Sequence, residues 1–114
     1  MPNISVIGLG AIGLPLSILL CKNGQKVNGY DIDKLRLEKI KDPKKSYFDN
    51  DIYNVLIDAK VKKNFILSAT LVKAEVYIIC VPTPIKAKSN NKYSADLKFL
   101  DLAIKNIKKN LKPK

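Results

Sequence analysis

The segment ISVIGLGAIGLPLSILLCKNGQKVNGYD, from Ile4 to Asp31, carries the strongest structural signal in this chain. It begins with a short apolar run, which leads into the motif Gly8-Leu9-Gly10-Ala11-Ile12-Gly13. A helix-compatible stretch follows from Leu14 to Lys22, and a second strand-like run ends in Asp31. The order strand, glycine turn, helix, strand and acid predicts a βαβ unit of the kind that binds dinucleotides.

Each glycine of the motif has its own physical role. Gly8 allows the tight turn, Gly10 lets a pyrophosphate approach the backbone, and Gly13 lets helix and strand pack closely. The helix that follows offers unpaired N–H groups and the positive end of its dipole to phosphate. Asp31 can accept hydrogen bonds from both adenosine ribose hydroxyls, which favours NAD and repels the 2′-phosphate of NADP.

The composition describes one small globular domain of 114 residues, with 46% hydrophobic and 27% charged residues. No apolar run approaches the length of a membrane span, and the short N-terminus ahead of the first strand predicts that there is no signal peptide.

Cys21 and Cys80 are expected to be buried free thiols in a reducing cytoplasm. A metal site or a disulfide is not expected, because histidine and closely spaced cysteines are lacking.

The net charge of +11 raises the alternatives of nucleic-acid binding and of a lysine-rich solvated surface. All basic residues except Arg36 are lysines, and they are scattered over several segments. Recognition of bases and phosphates prefers arginine, so specific nucleic-acid binding is not expected. The excess charge can still attract an anionic cofactor.

The segment after Asp31 has apolar residues at helical spacing, and Asp33 is placed to cap that helix. Arg36 then lies about one turn into the helix, either near the adenosine end of a dinucleotide or as an ordinary exposed cation. Further along, residues 52–61 resume a helical pattern, residues 64–68 form a short apolar run, and residues 70–74 read as a turn or helical stub.

Residues 75–81 form the most strand-like run, as expected for a parallel strand buried on both faces. The run ends in Pro82-Thr83-Pro84. Ligands of open α/β sheets lie beyond the carboxyl ends of the strands, so this turn is well placed to contact a cofactor. The alternative is a rigid loop in which Thr83 bonds its own backbone.

Residues 85–94 are polar and basic and are expected to be mobile, and residues 95–111 predict a last amphipathic helix. Its apolar stripe comprises Leu97, Leu100, Ala103, Ile104, Ile107 and Leu111. Together these patterns predict an α/β fold: a partial doubly wound parallel sheet, Rossmann-like, of about four strands with flanking helices. In such a partial sheet, residues 75–81 are expected to form an exposed edge.

Four motifs, ISVIGLGAIGLPLS, GYDID, CVPTP and ADLKFLDLAIKNI, together resemble the NAD-binding domain of the UDP-glucose/GDP-mannose dehydrogenase family. The resemblance covers essentially the whole chain. GLPLS with CVPTPIK is most similar to the branch that oxidises UDP-N-acetylmannosamine or UDP-N-acetylglucosamine to the uronic acid. UDP-glucose 6-dehydrogenase shares these motifs and remains the alternative.

The resemblance implies a set of NAD contacts beyond the three glycines. Ala11 and Ile12 would lie against the pyrophosphate, and Asp31 and Arg36 would hold the adenosine end. At the end of the fourth strand the implied contacts are Val81, Pro82 and Thr83. Two departures are notable: Ala11 stands where most members have tyrosine, and Phe48-Asp49-Asn50 replaces a more usual Val-Glu-Pro-like segment.

Members of the family oxidise the sugar alcohol twice, with two NAD molecules and a covalent thiohemiacetal on a catalytic cysteine. The segments that carry their catalytic residues have no counterpart in this chain. Residues 1–114 are therefore expected to be the N-terminal portion of the NAD-binding domain. We expect no catalytic or metal-binding residues here, contact with the UDP-sugar only through later segments, and a homo-oligomeric parent enzyme. The alternatives are a free-standing NAD-binding module and another GLGxxG dehydrogenase of the β-hydroxyacid type, against which VPTP and ADLKFLDLA argue.

Overall fold

The computed structural model describes residues 4–42, 50–82, 84–87 and 93–111. The predictions for Thr83, Phe48 and Asp49 fall outside these residues. In chain order the elements are β1 (Ile4–Ile7), α1 (Gly13–Lys22), β2 (Val27–Tyr30), α2 (Lys34–Lys41), α3 (Asn50–Leu56), α4 (Ala59–Asn64), β3 (Phe65–Ser68), β4 (Val76–Ile79), β5 (Ile85–Ala87), β6 (Tyr93–Ala95) and α5 (Lys98–Asn110).

The main sheet has four parallel strands in the order β3-β2-β1-β4. In register, Ile7 lies beside Tyr30 on one side and Ile79 on the other, so the carboxyl ends of these three strands meet at one edge. The strand order reverses at β1, and such a switch point is where ligands of open α/β sheets bind. The predicted Rossmann-like fold of about four strands is confirmed.

Helices cover both faces of the sheet. Successive residues of a strand point to opposite faces, so Val6 and Ile7 contribute to different layers of the core. Val6 packs in a cluster with residues of β2, α1 and α2, whereas Ile7 packs with Tyr30 and Ala103 of α5. The first cluster consists of Val6, Leu9, Leu14, Ile18, Cys21, Val27, Leu37, Ile40, Leu56 and Val61.

Aspartates begin two of the helices. Asp33 Oδ1 accepts hydrogen bonds from the backbone N–H groups of Leu35 and Arg36 at 3.1 and 3.2 Å, which confirms it as the cap of α2. The single helix predicted over residues 52–61 is wrong. Asp58 interrupts it and caps α4 instead, since its carboxylate accepts from the N–H of Lys60 at 2.9 Å.

The start predicted for the last helix is wrong. β5 and β6 pair antiparallel with Ile85 opposite Ala95, and α5 begins only at Lys98. The mobility expected of residues 85–94 stays a prediction. Backbone hydrogen bonds between β5 and β6 stabilise these short strands, and the polarity of the sequence gives no sign of this pairing. For residues 70–74 the sequence predicts a turn or a helical stub, and the structure has no helix there. The hydroxyl of Ser68 accepts from the N–H of Thr70 at 3.1 Å, which forms a turn at the start of this segment.

β4 is shorter and less buried than predicted. It spans Val76–Ile79 and pairs only with β1 in the described part of the sheet, which confirms the exposed edge. The expectation of burial on both faces is wrong, because Val76 is 50% exposed and the following residues are half-buried. Among the described helices, none combines the length and the apolar character needed to cross a membrane.

Candidate dinucleotide-binding site

The glycine turn is packed tightly at both ends. Gly8 has a φ of +97°, and a Cβ there would lie 2.6 Å from the carbonyl oxygen of Cys80. Its N–H donates to the carbonyl of Tyr30 at 2.8 Å, so the turn is joined to β2 as well. A Cβ on Gly13 would overlap the carbonyl oxygen of Gly8. Glycine is therefore required at both positions by the protein itself.

The middle of the turn is open. A Cβ on Gly10 would find Arg36 Nη1, at 4.0 Å, as its nearest described neighbour. Ala11 is exposed and Ile12 is 73% exposed. The first turn of α1 carries no acidic residue and no capping side chain. This part of the turn thus combines free space with uncapped backbone N–H groups, the arrangement that suits an anion.

Asp31 lies at the carboxyl end of β2 and is only 5% exposed. Its Oδ2 accepts a hydrogen bond from the N–H of Leu9 in the glycine turn at 2.9 Å, and its Oδ1 accepts one from the N–H of Asp33 at 2.9 Å. Arg36 Nη1 lies 3.1 Å from Oδ2 and forms an ion pair with it. These contacts hold the carboxylate directly beside the turn.

A cavity of about 230 Å³ opens next to Asp31, at the carboxyl ends of the strands. Its walls come from β1, β2, the segment after β4, and α5, and most of them are apolar. The lining residues are Ile7, Gly8, Tyr30, Asp31, Ile32, Asp33, Arg36, Val81, Pro82, Phe99, Leu102, Ala103 and Asn106. A mainly apolar cavity with a few converging polar groups is typical of small-molecule sites.

The structure brings together most of the residues assigned to the cofactor from the sequence. Those that line the cavity are Gly8, Asp31, Arg36, Val81 and Pro82. Gly10 and Ala11 line a neighbouring cavity of about 560 Å³, and Arg36 borders both. Ile12 is exposed and lines neither cavity, whereas Gly13 is buried.

Sequence reasoning missed the wall that α5 contributes. Phe99, Leu102 and Asn106 face the cavity, although only Ala103 among the α5 lining residues belongs to the apolar stripe identified in the sequence. Ile32, directly after Asp31, was missed as well. Phe99 and Leu102 are large apolar residues outside the stripe, and they were the signal in the sequence that α5 has a second contact surface. An amphipathic helix that packs only against a sheet buries its apolar stripe and is polar elsewhere.

Neither cysteine is suited to nucleophilic chemistry. Cys21 is buried and Cys80 is half-buried, and both are free thiols. Burial raises the pKa of Cys21 to about 11 and also raises the pKa of Cys80, so neither is a thiolate near neutral pH. Within the described residues, no three His, Cys, Asp or Glu side chains are grouped so that they could hold a metal ion.

Comparison with known proteins gives the family. Residues 2–114 match the NAD binding domain of the UDP-glucose/GDP-mannose dehydrogenase family. A UDP-N-acetyl-D-mannosamine dehydrogenase of Methanococcus aeolicus is 41% identical over 110 residues, which cover 96% of this chain and 25% of the relative. The enzyme of the same name from Escherichia coli K12 is 33% identical, over 92% of this chain and 24% of its own length. The chain thus spans about a quarter of the length of these curated relatives.

A solved structure has the same fold. The native UDP-N-acetyl-mannosamine dehydrogenase Cap5O from Staphylococcus aureus superposes with a TM-score of 0.82 at 30% identity, covering 96% of this chain and 26% of that one. The match extends over the strands, the glycine turn and the helices described above. The chain therefore belongs to the UDP-glucose/GDP-mannose dehydrogenase family and corresponds to its NAD-binding domain.

Proposed function

We propose that this chain binds NAD in the cavity beside Asp31. The observation that carries the proposal is the buried Asp31 carboxylate, which is bonded to the glycine turn through the N–H of Leu9 and borders the cavity at the switch point of the sheet. A carboxylate at the end of the second strand is the group that recognises an unphosphorylated adenosine ribose. The open space over Gly10 fits the same ligand, because the pyrophosphate needs close access to the backbone.

In this proposal each part of the cofactor site has a distinct task. Ile32, Phe99 and Leu102 offer apolar surface for the adenine, and Asp31 accepts hydrogen bonds from the ribose hydroxyls. Backbone N–H groups at the start of α1 face the pyrophosphate, whose charge the helix dipole favours. Thr83, Val81 and Pro82 follow β4 and remain proposed contacts.

We further propose that the whole protein oxidises a UDP-sugar, with UDP-N-acetylmannosamine as the first choice and UDP-glucose as the alternative. The names of the relatives support the first. NAD supplies the hydride acceptor in this chemistry. Cys21 and Cys80, with raised pKa values, are not its thiolate nucleophile, so the nucleophile belongs to a part of the protein other than residues 1–114. Two unpaired cysteines also suit a reducing compartment, which supports a place in the cytoplasm.

Calorimetric titration of the folded chain with NAD tests the proposal. We expect saturable binding by the wild type, and a loss of about tenfold or more in affinity for Asp31→Asn, since hydrogen bonds to a charged group are worth roughly 1.5–3 kcal/mol. The asparagine keeps the size of the side chain. Circular dichroism of the variant establishes that the fold is retained.

Asp58→Asn is the matched control. It removes a carboxylate of the same kind, one that caps α4 and does not border the cavity, so NAD affinity should be unchanged. No binding by the folded wild type, or equal losses in the two variants, would count against the proposal. A separate assay with NAD and UDP-N-acetylmannosamine should give no NADH from this chain alone.

A further inference from the structure

Lysines lie together at the end of the sheet opposite the candidate cofactor site. That site is at the carboxyl ends of the strands, whereas α1 and α4 end at the amino ends, just before β2 and β3 begin. Asn64 Nδ2, at the end of α4, donates to the carbonyl of Cys21 near the end of α1 at 3.1 Å, so the two helix ends are in contact. Lys22 and Lys63 are the chain neighbours of these two residues, and they therefore lie at this same end.

Three more lysines belong to this end of the molecule. Lys26 immediately precedes β2, and its carbonyl accepts from the N–H of Ile4, at the start of β1, at 3.2 Å. Lys41 lies in the last turn of α2 and Lys62 in the last turn of α4, and both border one cavity of about 410 Å³. The side chains that we call the basic end are all exposed and consist of Lys22, Lys26, Lys41, Lys62 and Lys63.

Acidic residues do not balance this charge. The described acidic residues nearest to the basic end along the chain are Asp42, Asp58 and Glu75, and Asp58 is engaged in capping α4. The helix dipole favours a lysine in the last turn of a helix, but Lys26 lies in no helix. A net positive charge therefore remains at this end, away from the candidate cofactor site.

Apolar surface accompanies the lysines. β3 is the outer strand of the described sheet, and Ile66 on this strand is 54% exposed. Ile66 also borders the cavity between Lys41 and Lys62, whose other described lining residues are apolar: Ile40, Leu56, Val61, Phe65 and Leu67. Lysines next to exposed apolar residues fit a partner with anionic groups over an apolar layer, which is the chemistry of an anionic phospholipid bilayer. Nucleic acid offers no such apolar layer, and its recognition prefers arginine.

We propose that the basic end is a docking surface for an anionic phospholipid bilayer, with its lysines at the lipid headgroups and Ile66 in the interface. Attraction between the lysines and the anionic headgroups supplies most of the affinity. The candidate cofactor site faces away from the bilayer in this arrangement, because it lies at the opposite ends of the strands. The inference therefore does not depend on the proposed NAD binding.

Co-sedimentation of the whole chain with vesicles tests the inference. We expect binding to vesicles made of equal parts of phosphatidylcholine and phosphatidylglycerol, no binding to phosphatidylcholine alone, and release at high salt. Lys62→Gln combined with Lys63→Gln should lower the partition coefficient about tenfold or more. Lys34→Gln combined with Lys98→Gln removes the same charge at the starts of α2 and α5, and should lower it less than about threefold. Ile66→Ser keeps every charge and should lower it about threefold or more.

Three results would overturn the inference. The first is no binding of the folded wild type to the anionic vesicles. The second is an equal loss in the two double variants, which would mean that net charge alone, and not the basic end, governs binding. The third is unchanged vesicle binding by Ile66→Ser together with equally tight binding to a double-stranded DNA fragment, which would make the basic end a general polyanion site. Circular dichroism of each variant establishes that the fold is retained.

Discussion

At the scale of single residues, the three glycines of the turn do different work. Gly8 and Gly13 are glycines because the protein leaves no room for a Cβ, against Cys80 in one case and against the Gly8 carbonyl in the other. Gly10 is different, since a Cβ would have an ordinary distance of 4.0 Å to its nearest described neighbour. The fold therefore gives no reason for a glycine at this position, whereas the proposed pyrophosphate contact does.

This contrast predicts that Gly10→Ala and Gly13→Ala separate binding from stability. Gly10→Ala should change the free energy of unfolding by less than about 1 kcal/mol, yet abolish most NAD binding because the methyl group occupies the space over the turn. Gly13→Ala should cost about 2 kcal/mol or more, as overpacking against backbone does. Urea denaturation and calorimetric titration of both variants measure the two quantities. Unimpaired NAD binding by Gly10→Ala would refute the assignment of the pyrophosphate to this turn.

At the scale of elements, the centre of the sheet contains an unexpected polar pair. Ser5 on β1 and Asn28 on β2 are register neighbours and almost completely buried. Ser5 Oγ and the amide Nδ2 and Oδ1 of Asn28 have no hydrogen-bond partner within the described structure. Buried polar atoms without partners reduce stability, so these two strands are held by their backbone ladder and their apolar neighbours.

Replacing the hydroxyl of Ser5 should therefore stabilise the protein. We expect Ser5→Ala to raise the free energy of unfolding by about 0.5–1 kcal/mol, because an unsatisfied buried group is removed. Ser68→Ala is the comparison on β3, where Oγ donates to the carbonyl of Thr70 at 2.6 Å and accepts from its N–H at 3.1 Å. That variant should lose about 0.5–1.5 kcal/mol. Denaturation in urea gives both values, and a destabilising Ser5→Ala would mean that the hydroxyl has a partner.

At the scale of the whole molecule, an apolar edge is combined with a large positive charge. β4 has no charged residue within Val76–Ile79, and its outer edge is unpaired in the described sheet. α5 beside it and the residues that flank this helix expose several apolar side chains, namely Leu97, Leu102, Ile104 and Leu111. An edge of this kind pairs readily with another strand, whereas the net charge of +11 makes copies of the chain repel one another.

Self-association should therefore depend on salt. We expect a monomer at low ionic strength and increasing association as the Debye length falls from about 10 Å at 0.1 M to about 3 Å at 1 M. Val76→Lys should suppress this association because lysine on an edge strand opposes pairing. Ile57→Lys adds the same charge at another exposed apolar residue, distant from β4 in the chain, and should have a smaller effect. Sedimentation velocity measures these states, and salt-independent association would contradict the expectation.

Local patterns in the sequence were sufficient to predict the βαβ unit, the parallel strands and the Asp33 cap, whereas the family was predicted from the resemblance of four motifs. These features depend on apolar periodicity, on glycine where a Cβ cannot fit, and on short side chains next to helix starts, all of which are properties of neighbouring residues. Gly8, Gly10, Gly13 and Asp31 could be placed close together for the same reason, since the glycine turn and the end of the second strand belong to one βαβ unit.

Only the tertiary structure decided what surrounds Asp31. The N–H of Leu9 reaches Asp31 across 22 residues of sequence, and the cavity wall of Phe99 and Leu102 comes from the last helix, so no local pattern gives these contacts. The pairing of β5 with β6 likewise depends on which strands become neighbours. Contacts between distant segments follow from how the elements pack together, and that packing also places Arg36 on the carboxylate it shares with the glycine turn.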